Sequence, residues 1–125
     1  MNIKTANILI NAGYTNVFVK DPPDTISDYI LISSSGGLSV GTEQAGYSRP
    51  SIQILVADKD YTQMKTTCDN IKKYLLQLSC KDIQDSISDG DIQGYDLSSD
   101  VLELGQDKQL RNINSMNFEV HYNLF

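Results

Sequence analysis

Six apolar residues of this chain, Tyr61, Met64, Cys68, Ile71, Leu75 and Leu78, follow one another at steps of 3, 4, 3, 4 and 3. That spacing returns to one side of an α-helix each time and predicts a helix from Asp60 to about Leu78. Thr62, Lys65, Asp69, Lys72, Lys73 and Gln77 fall on the opposite side. Asp60 can cap the start, and Lys72 and Lys73 suit the negative end of the helix dipole. A helix with one apolar stripe needs a flat apolar surface to cover, because isolated helices of this length are marginal in water.

The C-terminal segment provides such a surface. Met116, Phe118, Val120, Tyr122 and Leu124 alternate with Asn117, Glu119, His121 and Asn123. Period two with one polar face predicts a half-buried antiparallel strand. Further strands are expected around Val17-Phe18-Val19, around Tyr29-Ile30-Leu31-Ile32, and over residues 51–58, 92–97 and 101–104. Ile52, Ile54 and Val56 share one face of the 51–58 strand while Leu55 and Ala57 make the other apolar, which marks it as central. Pro22-Pro23 interrupts any ladder between the first two strands.

Residues 3–12 read as a short helix with Ile3, Ala6 and Ile10 inward, Leu9 at the edge of that face and Gly13 as its stop. The serines and glycines of residues 33–50 read as a long loop or an extended hairpin. The expected fold is α+β: one domain over residues 1–125, with an antiparallel-rich sheet packed against one long helix and a short N-terminal helix. No internal repeat or linker divides it.

Ten basic residues against 16 acidic ones give a net charge of −6. An acidic chain gains nothing from phosphate counterion release, which weighs against whole-protein nucleic-acid binding. The acids are unevenly spread. Residues 82–107 hold eight of them (Asp82, Asp85, Asp89, Asp91, Asp96, Asp100, Glu103 and Asp107) and no Lys or Arg. No apolar run is long enough to span a bilayer, and Met1-Asn2-Ile3-Lys4 does not open a signal peptide. A cytoplasmic protein with reduced Cys68 and Cys80 is expected.

Catalytic patterns are weak throughout. His121 is the lone histidine and has no acid or nucleophile in a recognisable motif beside it. No G-x-S-x-G elbow and no metal-ligand spacing occurs. Cys68 lies in the apolar stripe and reads as a small core residue. Residues 85–96 imitate a calcium loop, but Ile87 offers no oxygen at its third position and Asp96 replaces the bidentate glutamate at its twelfth. Gly36-Gly37, Gly41 and Gly46 lack the lysine of a phosphate loop. No enzyme, metal site or cofactor is expected.

A set of motifs in fixed order carries more information. It comprises Pro22-Pro23-Asp24, Tyr29-Ile30-Leu31-Ile32, Gly36-Gly37, Arg49-Pro50-Ser51-Ile52-Gln53-Ile54-Leu55-Val56, Tyr61 with the long helix, Leu104-Gly105-Gln106-Asp107, Arg111, and Asn117-Phe118-Glu119-Val120. Taken together, these resemble the minor capsid and tail-terminator (head–tail joining) proteins of long-tailed bacteriophages, in the branch carried by phages and prophages of Gram-positive bacteria. Two positions depart from that pattern. Ala57-Asp58-Lys59 stands where relatives often carry an arginine, and Leu110 replaces the usual glycine before the arginine of the last hairpin.

The resemblance implies a structural protein of the virion, built in the host cytoplasm and located at the tail–head junction. It implies a homo-oligomeric ring, usually of six copies, that caps the tail tube, ends its polymerisation and meets the connector of the head. A related role is the cap of a tail-like bacteriocin particle. A head-completion protein on the connector side is the alternative within this class. A small nucleic-acid-binding module using Lys65, Lys72 and Lys73 is the alternative outside it, although Asp69 interrupts that strip. For a ring, Tyr47, Arg49 and Arg111 are the expected contacts with a neighbour or the tube, since Tyr and Arg are strong interface anchors. Asp89, Asp91 and Asp96 are the expected lumen-facing acids, past which DNA moves without binding.

Overall fold

The computed structural model describes residues 1–34, 50–88 and 91–122, together with the backbone at 47, 48 and 123. Its elements are α1 (Asn2–Asn11), β1 (Val17–Phe18), β2 (Asp28–Ser34), β3 (Tyr47–Ser48), β4 (Ser51–Asp58), α2 (Tyr61–Gln77), α3 (Cys80–Ile87), β5 (Ile92–Leu97), β6 (Leu102–Gln106) and β7 (Asn112–Asn123). The class is α+β, with one mixed sheet and three helices among the described residues.

The sheet is organised by β7. Phe118 is paired with Ile52 of β4 and with Leu97 of β5, and Ser115 with Leu55 of β4 and Leu102 of β6. A residue has one partner on each edge, so β4 lies along one edge of β7 while β5 and β6 share the other. β3 continues the β4 edge, with Tyr47 opposite Asn123 and Ser48 opposite Tyr122. β2 pairs antiparallel with β4, and β1 closes the far side in parallel with β2. The order across the sheet is therefore β1, β2, β4, β7 and then the β5–β6 edge. Strand 51–58 is central, as its two apolar faces require.

Register places the core on one face. Ile30, Val56 and Asn114 align across β2, β4 and β7, and Ile32, Ile54 and Met116 form the next row. Ile52, Phe118 and Leu97 form the third. Ile32, Ile54, Met116, Phe118 and Val120 are fully buried against Met64, Cys68, Ile71 and Leu75 of α2. The stripe read from the sequence is thus the covering face of the long helix. Asp60 caps it through a bond from the Gln63 N–H at 3.2 Å. Tyr61, at the first position of the stripe, stays exposed.

Two expectations change. The first concerns α1, which buries Thr5, Ala6, Ile8 and Leu9 and leaves Ile3 and Ile10 exposed at 65% and 50%. The helix turns Thr5 inward because its hydroxyl bonds the buried Tyr95 hydroxyl at 2.9 Å. Lys4 anchors the next position, its ammonium 3.1 Å from the Tyr122 hydroxyl and 4.8 Å from that ring's centre. Gly13 does end the helix: at φ +100 it lets Tyr14 N–H reach Leu9 O and Gly13 N–H reach Ile10 O, the two bonds of a Schellman cap.

The second is α3, a helix inside the acidic stretch where none is predicted. Ser79 and Asp82 form a reciprocal capping box. The Ser79 N–H and hydroxyl hold the Asp82 carboxyl below its ordinary range. Ile83 is fully buried against the core. The cover over the sheet is therefore three helices rather than one. The two kinds of isoleucine on α1 separate cleanly in urea denaturation: Ile8→Ala costs about 3 kcal/mol, whereas Ile10→Ala stays within about 0.5 kcal/mol of the parent.

Candidate functional site

A dense polar cluster lies at the β6–β7 hairpin. Gly105 at φ +85 and Leu110 at φ +61 turn the chain. Asp107 N–H donates to Arg111 O at 3.1 Å, and Leu110 N–H donates to Asp107 O at 3.0 Å. The Asp107 carboxylate organises the rest. One oxygen accepts the N–H groups of Gln109 and Arg111, each at 3.0 Å, and the other accepts Arg111 Nε at 2.8 Å.

Arg111 then reaches away from its own hairpin. Its Nη1 donates to Pro23 O at 3.3 Å and Ile26 O at 3.4 Å, and Nη2 donates to Gln109 Oε1 at 3.3 Å. The guanidinium carbon stands 4.7 Å from the centre of the Tyr29 ring. A planar cation with several fixed donors suits this combination of fork and stack, and a lysine does not. Burial raises the Asp107 carboxyl, but the Arg111 N–H, the guanidinium bond and its charge outweigh that and hold the group below its ordinary range. Burial also raises the Tyr29 hydroxyl, with Arg111 opposing.

Arg111 is thus buried, and its donors are engaged within its own chain. It is the pin that fastens the last hairpin to the proline-bearing connection before β2. Expected as an interface residue, Arg111 is here buried and bonded within its own chain. The signal available for that role is the spacing Asp107-x-x-x-Arg111 around a turn.

The other expected site residues lie apart. Tyr47 pairs through its backbone with Asn123. Arg49 and Asp89 fall outside the described residues. Asp91 precedes β5 and is exposed, and Asp96 is exposed on the sheet face away from the helices. There Asp96 meets His121 Nε2 across β5 and β7. Glu119, opposite Asp96 in register, shares that face. Gln53 Nε2 donates to the Ser115 hydroxyl at 3.0 Å and Asn117 Nδ2 to the Ser99 hydroxyl at 3.3 Å on the same side. This is a polar sheet face, crossed by partly covered Leu31 and Leu55. On the helical side, Glu103 accepts the Tyr61 hydroxyl and faces Lys65 at 3.9 Å, so one member of the lysine strip is already paired.

Cys68 is buried and Cys80 partly exposed, and burial pushes the Cys68 thiol up, which makes it a poor nucleophile. Among the described residues no group of three or more His, Cys, Asp or Glu could hold a metal ion, and no helix is long and apolar enough to cross a membrane. α3 occupies residues 80–87, where the calcium-like spacing begins. A depression of about 650 Å³ lies among the ends of α1, α2 and α3 and is lined by Asn11, Tyr74, Asp82 and Ser86. Asn11 is bonded to Ser86 O at 2.7 Å and Asp82 caps α3, so these two polar groups already serve the fold.

No protein-family model matches this chain, and no curated protein matches it.

Arg111→Ala leaves the Asp107 carboxylate and the Pro23 and Ile26 carbonyls without their donor, and costs about 3 kcal/mol in urea denaturation. Arg111→Lys restores the charge but not the fork, and recovers less than half of that loss. Asp107 also sets an acid dependence. Its folded affinity for a proton is lowered, so its contribution is full above the unfolded carboxyl range, about pH 4, and is lost as pH falls through the folded value. Asp107→Asn is accordingly less stable at neutral pH, and its urea midpoint falls less steeply on acidification below about pH 4.

Proposed function

We propose that this chain is a structural subunit of the phage neck: a ring-forming tail terminator that ends the tail tube and joins it to the head connector. The observation that supports this reading is the convergence of its motifs. Pro23, Tyr29, Asp107 and Arg111 belong to separated segments of the family-like pattern, and they meet in one cluster. Motifs scattered by chance have no reason to converge on a single guanidinium. Asn117-Phe118-Glu119-Val120 falls in the middle of β7, the strand on which the sheet is built.

The role asks for a rigid block with specific edges rather than for a reaction centre. A one-sided helical cover on a long-stranded sheet meets that need. In this reading the acids before and within β5, Asp91 and Asp96, line the passage, and their charge keeps passing DNA from adhering. The ring, usually of six copies, is built from a heterologous contact, in which one patch of each subunit meets a different patch of the next. The partners are further copies, the tail tube protein and the connector proteins.

The decisive test is deletion of the gene from the phage or prophage that carries it, followed by negative-stain electron microscopy of the lysate. The expected result is overlong tails beside unattached, DNA-filled heads. Normal-length tails beside emptied heads would move the protein to the head side of the junction, and normal virions would remove the structural reading. Asp91→Lys with Asp96→Lys gives capped tails of normal length but slower DNA ejection; unchanged ejection takes these acids out of the passage.

A further inference from the structure

The sheet carries a second apolar surface, on the side away from the helices. Pairing aligns Phe18 of β1 with Leu31 of β2, Leu31 with Leu55 of β4, Leu55 with Ser115 of β7, and Ser115 with Leu102 of β6. These residues form one row across five strands, and all but the serine are large and apolar. Their sequence neighbours Ile30, Ile54 and Met116 are buried in the core, so the row belongs to the outer face. Leu102 is 54% exposed, and Phe18, Leu31 and Leu55 are partly exposed. Ser115 is buried between Leu55 and Leu102, and its hydroxyl accepts from Gln53. The open face of an antiparallel sheet is ordinarily polar. An apolar row of this length on it is the mark of a contact surface.

The helical side of the subunit holds an apolar surface of matching size. The outward residues of α1 are Ile3, Asn7, Ile10 and Asn11, with Ile3 and Ile10 at 65% and 50% exposure. The one ionisable side chain of α1, Lys4, is turned to Tyr122. Ile3 and Ile10 are seven residues apart, about 10.5 Å along a helix. Leu55 and Leu102 are two strand spacings apart, about 9.6 Å, with the small Ser115 as the low point between them. Neither surface has a charge at its centre, so joining them strips no ion of its water. The rims are complementary. Lys20 is exposed at the groove that Ile3 and Val19 line, and Glu119 lies four residues beyond Ser115 on the outer face. Neither has an ion-pair partner among the described residues, and they suit one another across a contact.

The geometry points to a back-to-face contact between copies of this chain: α1 of one subunit lies on the outer sheet face of the next, with Ile3 and Ile10 over Leu31, Leu55 and Leu102. The two surfaces are on opposite sides of the subunit, so the contact is heterologous and repeats until rotation closes it. It rests on the ring reading above and names the subunit contact that reading leaves open.

The test is complementation between two blocked variants of the purified full chain, read by native mass spectrometry and sedimentation at the highest soluble concentration. Ile10→Glu blocks the helix surface and Leu102→Glu the sheet surface; both positions are exposed, so the core is untouched. Leu55→Glu, in the middle of the row, repeats the second block. The expected result is assemblies of three or more copies for the parent and monomers for each variant alone. An equimolar mixture of Ile10→Glu and Leu102→Glu gives dimers and stops there, because each pair has one intact contact and two blocked surfaces. A monomeric parent overturns the inference, and so does a parent that stops at the dimer, which indicates a two-fold contact. Variants that assemble as the parent does overturn it too. A mixture that stays monomeric, with each variant folded by circular dichroism, overturns it as well. Parent assemblies together with normal virions after gene deletion uphold the contact and remove the terminator role. Overlong tails together with a monomeric parent keep the terminator role and remove the contact.

Discussion

Everything in this fold depends on β7 being paired along both edges. Its 12 residues hold β3 and β4 on one side and β5 and β6 on the other. A strand in that position must present one side-chain set to the helices over its whole length, because a slip of one residue would turn Met116, Phe118 and Val120 to the outer face. Burial of those three side chains fixes the register of four neighbouring segments at once. The edge strand, by contrast, is broken: β5 and β6 are separated at residues 98–101, and each has a register shift of its own. Bulges increase local twist, so the edge wraps the core while β7 stays continuous.

The second constraint is the Arg111 pin. The first 27 residues contribute only the two-residue β1 to the sheet, and the two prolines forbid a longer ladder there. That connection is fastened by the bonds from Nη1 to the Pro23 and Ile26 carbonyls, and by the Tyr29 ring beneath the guanidinium. The same arginine closes its own hairpin through Asp107. One side chain thus couples the start of the chain to its end, across 88 positions in sequence.

The central strand, the long helix and the C-terminal strand were legible because each has a period that only one packing satisfies. α1 was legible as a helix but not in its rotation. Ile3 and Ile10 look inward by hydropathy, yet the bonds from Thr5 to Tyr95 and from Lys4 to Tyr122 turn the helix by contacts that a local pattern cannot contain. α3 was hidden because it is short and lies at the start of a stretch read for its acids rather than for an apolar period. Its signal was the Ser79-x-x-Asp82 cap with Ile83 and Ile87 one turn apart. Among the expected site residues, Arg111 was visible as unusual and its partners were not, since Pro23, Tyr29 and Asp107 come together only through tertiary structure.

Leu110 joins these threads. A leucine in the left-handed region is strained by about 1 kcal/mol relative to glycine, and a hairpin stabilised by Asp107 and Arg111 does not require that strain, since glycine turns as well. Its side chain is exposed, so packing within the subunit does not repay it. It also sits at the end of a sheet edge whose leucines face solvent and whose strand lacks a blocking lysine or proline. The turn itself fixes the residue there: Leu110 N–H donates to Asp107 O and Asp107 N–H to Arg111 O, and the bonds that Asp107 and Arg111 make outweigh the local backbone cost.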